Sequence, residues 1–359
     1  MPKKERKLGI DLLRIVSMLM IVTLHVLLQG GILNNAPAGS HQYCAAWILE
    51  AACMGAVNCY ALISGYVGVN SKTKYHKVAV LWIEVAFYCV VCAAIFAGTI
   101  PQKDKFITWF NQFFPVYTRQ YWYFTAYFVM FFFTPYFNAM LNSLTKKQLK
   151  GLGWAIFIFF SLLQTVWQNE VLVTKGGYSF IWLSLLYILG GIVKKTGLDK
   201  SVNSFAMLLS FLALSLISAE YKFLAETYHW PVVKDNLITY ISATVFGASF
   251  CLFLFFAKLD VKTKAGKAFV KLLSPYTFGV YLIHTNPFVW KYVLKDLFKD
   301  YADMRVSKML GMIALSVLSI YLVCTALEAL RVLLFRLLHI EPAFAAIENK
   351  IRAKKQKKS

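Results

Sequence analysis

Acidic side chains are scarce in this 359-residue sequence: 17 Asp and Glu stand against 38 Lys and Arg, and charged residues of both signs make up only 15% of the chain. With 59% of the residues hydrophobic, this shortage excludes a soluble globular domain and a disordered chain alike, since neither carries so much apolar surface with so little charge. In a soluble protein a net charge of +21 would suggest nucleic acid. Here the basic residues mostly fall between apolar runs, so no nucleic-acid partner is expected. Cysteine is sparse as well. The seven cysteines are odd in number and lie mostly inside apolar runs, so no disulfide framework is expected. Cys89 and Cys92 form a C-x-x-C, but within FYCVVCAAIFA they read as small buried hydrophobes rather than redox or metal groups. The amino terminus lacks a small-residue cleavage site after its first apolar run, which predicts a retained anchor.

What the sequence does contain is a succession of long apolar runs. At about 20 residues per crossing, ten candidate spans emerge: 8–29, 44–69, 78–98, 120–140, 152–168, 178–193, 203–221, 237–257, 274–292 and 309–335. The expected fold is an all-α polytopic membrane bundle of about ten helices. Residues 1–340 form its membrane domain and 341–359 a basic tail that is surface-lying or disordered. An even number of crossings puts both termini on one side. With the amino terminus assigned to the cytoplasm, the inner segments hold 25 Lys and Arg against 11 in the outer loops, as the positive-inside rule requires. The expected location is the cell membrane, with lipids as partners; the loop from Lys291 to Lys308 is a local exception to the rule.

The first run, GIDLLRIVSMLMIVTLHVLLQ, carries Asp11, Arg14 and His25. Ionisable groups inside a span are costly and usually face a protein interior or a wet cavity. Arg14 and His25 are eleven residues apart, which brings them to within about 20° of one face and ~16 Å apart along a helix axis. Asp11, three residues before Arg14, is placed to pair with it. The plainer readings are an interfacial ion pair for Asp11 and Arg14, and a helix-to-helix hydrogen bond for His25.

Other candidates lie further along. Lys72, Lys74 and Lys77 follow the second span and either fix topology, touch anionic lipid or bind phosphate. Arg119, Tyr121, Trp122 and Tyr123 open the fourth span as an aromatic belt or as a sugar-stacking mouth. Pro135 is expected to kink or end that helix. Glu50, Glu84 and Glu328 are further acids at membrane depth, with Arg331 one turn from Glu328. In the ninth span, SPYTFGVYLIHTNPFVW, Ser274 and Pro275 read as a cap and first helical position. His284 then falls about 15 Å into the membrane, with Tyr281 and Phe288 flanking it on nearly one face.

In these pieces the chain resembles the acyltransferase-3 family of integral-membrane acyltransferases. The likeness rests on GIDLLRIVSMLMIVTLH, YALISGY, YWYFTAYFVMFFFTPYF, LYILGG and SPYTFGVYLIH, in that order along nearly the whole chain. The resemblance implies a ten-span domain that takes an acyl group, often acetyl, from cytoplasmic acyl-coenzyme A and delivers it to a hydroxyl of an extracytoplasmic glycan or lipid-linked sugar. It maps the family's histidine to His25 and its arginine to Arg14. The family usually has two arginines after the second span, where this chain has Lys72, Lys74 and Lys77. On this reading His25 is general base or brief acyl carrier, Arg14 and Asp11 organise the cytoplasmic half of a tunnel, and His284 orients donor or acceptor. Trp122, Tyr123 and Tyr281 contact the acceptor, Lys72, Lys74 and Lys77 the donor phosphates, and no metal is required. The competing class is a transporter or flippase using buried Arg, His and Glu, although no internal repeat is visible; a membrane scaffold is a third.

Overall fold

The computed structural model describes residues 7–167, 172–230 and 235–356. Among these every regular element is helical. The chain opens with α1 (Leu8–Leu27), unbroken because no Gly or Pro interrupts residues 10–29. It ends at Gly30 and Gly31, where a φ of +92° at Gly31 turns the chain away. Then come α2 (His41–Met54) and α3 (Ala56–Gly68), α4 (Tyr75–Ile95), α5 (Trp122–Ser143) and α6 (Lys146–Phe157). The second half holds α7 (Phe180–Thr196), α8 (Ser204–Thr227), α9 (Ala243–Lys258), α10 (Lys264–Leu273), α11 (Thr277–His284), α12 (Val306–Leu337) and α13 (Ile340–Gln356).

Among the described residues, seven stretches are long and apolar enough to cross a membrane: Leu8–Asn35, His41–Gly68, Tyr75–Ile95, Trp122–Ser143, Lys146–Trp167, Ser204–Thr227 and Val306–Leu337. The other three expected spans are shorter or broken, each for a local reason. α7 stops after 17 residues because Gly197 takes a left-handed conformation, φ +74°. α9 begins only at Ala243, because Ser242 ties the preceding residues into a turn: its hydroxyl donates to the Asn236 carbonyl (2.6 Å) and accepts from the Thr239 amide (3.0 Å). The ninth span is not one helix. It runs as a tight turn (Ser274–Tyr276), α11, a break at Thr285 and Asn286, and a short helix that widens into a π turn over Trp290–Leu294. Ser274 lies inside that first turn, whose cap position is Leu273, so it is not the expected N-cap. Pro135 sits within α5 without ending it.

α1 is the axis of the bundle. It packs on α2, α3, α9, α10, α11 and α12, and 14 of its 20 residues are buried. α12 by contrast buries 9 of 32, so most of its surface is left for lipid. The closest approach is between α3 and α7, where the two glycine motifs meet. A Cβ at Gly65 would overlap the Tyr187 carbonyl, and one at Gly190 the Leu62 carbonyl, so only glycine allows these backbones to touch. Fully buried Asn58 locks the same seam, donating to the Tyr240 carbonyl (2.8 Å) and accepting from Trp182 Nε1 (2.9 Å).

At the amino-terminal end, Lys7 Nζ pairs with Asp199 (2.8 Å), which also accepts from the Tyr66 hydroxyl (2.8 Å). Burial pushes the Asp199 carboxyl up, but the hydrogen bonds from Lys7 and Tyr66 outweigh it and hold the group below its usual range. The basic tail forms α13 and lies against α4. Its Glu348 accepts from the backbone amides of Tyr75 and His76 and from His76 Nδ1 (2.6 Å), so it caps α4 from another helix. Arg352 pairs with Glu348 and donates to the Thr73 carbonyl (2.9 Å). Burial pushes the Glu348 carboxyl up, but together the bonds from the His76 amide and ring, Arg352 and the Tyr75 amide outweigh it and bring it down to about 2.

Candidate functional site

The last turn of α1 and the last turn of α11 meet through two histidines. His25 Nδ1 lies 2.9 Å from His284 Nε2. His284 Nδ1 lies 2.6 Å from the Val280 carbonyl, an acceptor only, so that nitrogen carries the proton. In the neutral pair His284 Nε2 is then the acceptor and His25 Nδ1 the donor. The pattern leaves His25 Nε2 with its lone pair uncommitted. His284 is 1% exposed, sealed behind His25.

His25 lines a cavity of about 120 Å³ with the aromatic residues Tyr60, Trp122, Tyr123, Tyr281 and Trp290. The wall is built from the break in the ninth span. Pro287 lacks an N–H and restricts the residue before it, so α11 cannot continue. Asn286, fully buried, caps the next helix by accepting from the Phe288 amide (3.0 Å). Its amide donates to the Tyr121 hydroxyl (2.9 Å), which donates in turn to the Leu282 carbonyl (2.8 Å). The start of α5 is thereby fixed against the end of α11, which sets Trp122 and Tyr123 opposite the histidines.

Of the residues singled out in the sequence, His25, Tyr121, Trp122, Tyr123 and Tyr281 line this cavity, and His284 touches it only through His25. Phe288 does not flank His284; beyond the break it stacks on Phe96 and Tyr292, centroids 6.1 and 6.4 Å away. Asp11 and Arg14 form the expected ion pair about three turns below His25. Arg14 is joined to the cavity through Tyr60, whose hydroxyl donates to the Arg14 carbonyl (2.6 Å) and whose ring is part of the wall. Tyr123 is 6.5 Å from Tyr60 and 6.4 Å from Tyr127, centroid to centroid. Tyr60 therefore stands between Arg14 and the cavity. Lys72, Lys74 and Lys77 are exposed in the loop and first turn of α4, outside the cavity lining but beside Arg352.

Glu84, without a partner in the sequence reading, faces Arg331 at 3.2 Å, and Arg331 also pairs with Glu328. Tyr88 donates to Glu328. Four polar groups of α4 and α12 so close on one another. Cys89 and Cys92 lie buried in the core. Sequence reasoning missed Tyr60, Tyr240, Asn286 and Trp290. The Asn-Pro dipeptide was the available signal for the last two, since it announces a break that redirects whatever follows.

A family model described as an acyltransferase domain matches residues 7–328. Comparison with curated proteins gives no match, and comparison with solved structures gives none.

Proposed function

The chain belongs to the acyltransferase-3 family, and on that premise we propose that this membrane acyltransferase moves an acyl group, acetyl in the first instance, from cytoplasmic acyl-coenzyme A to a hydroxyl of an extracytoplasmic glycan or lipid-linked sugar. His25 is the general base. The observation that carries this reading is the direction of the hydrogen bonds: they run from His25 Nδ1 through His284 to the Val280 carbonyl and leave Nε2 free beside an aromatic cavity. A neutral imidazole so held accepts the hydroxyl proton as the bond to the acyl carbon forms. His284 then acts as a positioning residue, fixing the tautomer and the ring.

The donor side of the proposal rests on charge. Lys72, Lys74, Lys77 and Arg352 gather where the loop before α4 meets α13, and the excess of Lys and Arg in the segments read as inner supports a cytoplasmic side for them. With α7, α9 and the broken ninth span also crossing, ten crossings bring both termini there. The phosphates of coenzyme A suit that cationic face, and Arg14 with Asp11 directs the thioester arm past Tyr60 toward His25. On the opposite side Trp122 and Tyr123 offer rings on which a sugar stacks.

The test is direct. Purified protein in vesicles is given labelled acetyl-coenzyme A and glycan acceptor, and free thiol and acylated product are counted. His25→Ala, at equal abundance, should lower both by about 10²–10⁴-fold. Transfer at the wild-type rate by that variant would overturn the assignment.

A further inference from the structure

We propose that Trp290 is a second catalytic residue: its indole N–H donates to the carbonyl oxygen of the acyl group being transferred beside His25. This rests on the reading of the cavity as an acyl-transfer site. Two observations carry it.

The first is an unmatched donor. Among the residues lining the cavity, Trp290 Nε1 is the one buried polar side-chain atom with no hydrogen-bond partner. A buried donor without an acceptor is costly, which is why native structures keep few of them. An acyl carbonyl entering the cavity supplies the acceptor that the protein itself does not provide. Indole nitrogen is a donor only and stays neutral, so it stabilises charge without competing for the proton or the acyl group.

The second observation is how Trp290 reaches the site. It lies six residues after His284, about 240° round an uninterrupted α-helix, where the two rings would face apart. Instead both contact His25, each with its centroid 5.1 Å from that ring, and the Trp290 plane stands at 84° to it. The break at Asn286 and Pro287 and the π turn that begins at Trp290 produce this re-aiming. π turns recur where a helix must present a side chain to a site. Asn286, held on Tyr121, keeps the break in place.

The step balances as follows. The acceptor oxygen bonds to the carbonyl carbon while its proton passes to His25 Nε2, and the carbonyl π pair moves onto oxygen, where the Trp290 N–H meets it. The C=O bond then re-forms, the C–S bond breaks, and sulfur leaves with the electron pair and takes the proton from His25. Ester and free thiol result.

Trp290→Phe keeps an aromatic ring and removes the donor; 3-benzothienylalanine at position 290 keeps the bicyclic shape with sulfur in place of N–H and covers the case in which the phenylalanine variant fails to accumulate. Both should lower kcat by about 10²-fold or more, as loss of one oxyanion donor does elsewhere, with the donor KM within about twofold. Isotope-edited infrared spectra of bound S-acetonyl-coenzyme A should show the ketone carbonyl band at lower frequency in the wild type than in either variant. Turnover within about threefold of wild type, or a carbonyl band that does not move, overturns the proposal. The outcomes separate the two claims. If wild type transfers acetyl and His25→Ala does not, yet both Trp290 replacements turn over normally, only the role of Trp290 falls; if His25→Ala transfers normally, the acyl-transfer reading of the site falls with it.

Discussion

Two of the polar clusters inside this bundle differ in where their hydrogen bonds end. In the Glu84, Arg331, Glu328 and Tyr88 cluster the bonds circle back on themselves: one guanidinium between two carboxylates, with a phenol on the second. In the histidine pair they run one way, from His25 through His284 to a backbone carbonyl, and stop at a lone pair beside a cavity. Both clusters are costly to bury. The closed one returns that cost as helix packing, since Glu328 also fills the space opposite Gly279 of α11; the open one keeps a reactive atom available. Burial of a charge inside a membrane therefore does not by itself mark a site. The loose end of the network does.

Breaking the open cluster should give the largest effect on turnover. His25→Ala is expected to reduce acyl transfer by about 10²–10⁴-fold, the range of a lost general base, while the detergent melting temperature stays near wild type. Breaking the closed cluster should do the reverse. Arg331→Leu strands two buried carboxylates at a cost of about 3–5 kcal/mol, so membrane abundance and Tm should fall sharply, with activity per folded molecule retained. An Arg331→Leu protein that is stable but inactive would erase the distinction between the clusters. His284→Ala sharpens the comparison from inside the open network. It removes the acceptor for His25 Nδ1 and should cost about 10- to 100-fold in turnover, as loss of an orienting partner does at metal-bound histidines, with donor KM little changed.

The smallest effect is expected at the tail. Glu348 holds α13 on α4 as a carboxylate, and its pKa is brought from 4.5 down to about 2 in the folded chain. A depressed carboxylate contributes stability that is whole above the unfolded value and lost as pH falls through the folded one. The grip should thus be constant from pH 8 to about 5 and weaken between about 4.5 and 2. Glu348→Gln should release it at neutral pH. Hydrogen exchange at the Tyr75 and His76 amides reads both; exchange in Glu348→Gln that matches wild type would show the cap to be idle.

Much of the fold was legible because membrane solvation is a strong, local constraint. The apolar runs, the basic bias of one side, and the pairing of Asp11 with Arg14 need only hydropathy and helix geometry, and all seven long helices coincide with expected spans. The shortfalls came where a local feature overrode the run: Ser242 delayed α9, and the Asn286–Pro287 step divided the ninth span. That last miss also misplaced Phe288 and hid Trp290. A periodic count assumes a continuous helix, and here the helix breaks next to the chemistry.

The sequence by itself determined that the chain is helical, membrane-bound and an acyltransferase of a known family, since length, apolar composition and ordered motifs are properties of the chain read one residue at a time. Only the tertiary structure decided that His25 and His284, separated by 259 positions, share one hydrogen bond, that Arg331 answers Glu84, and which ring nitrogen of His25 is free. Those facts depend on which helix faces which, and helix packing is set by contacts between distant residues, Gly65 against Tyr187 and Gly190 against Leu62 among them, that no local pattern encodes.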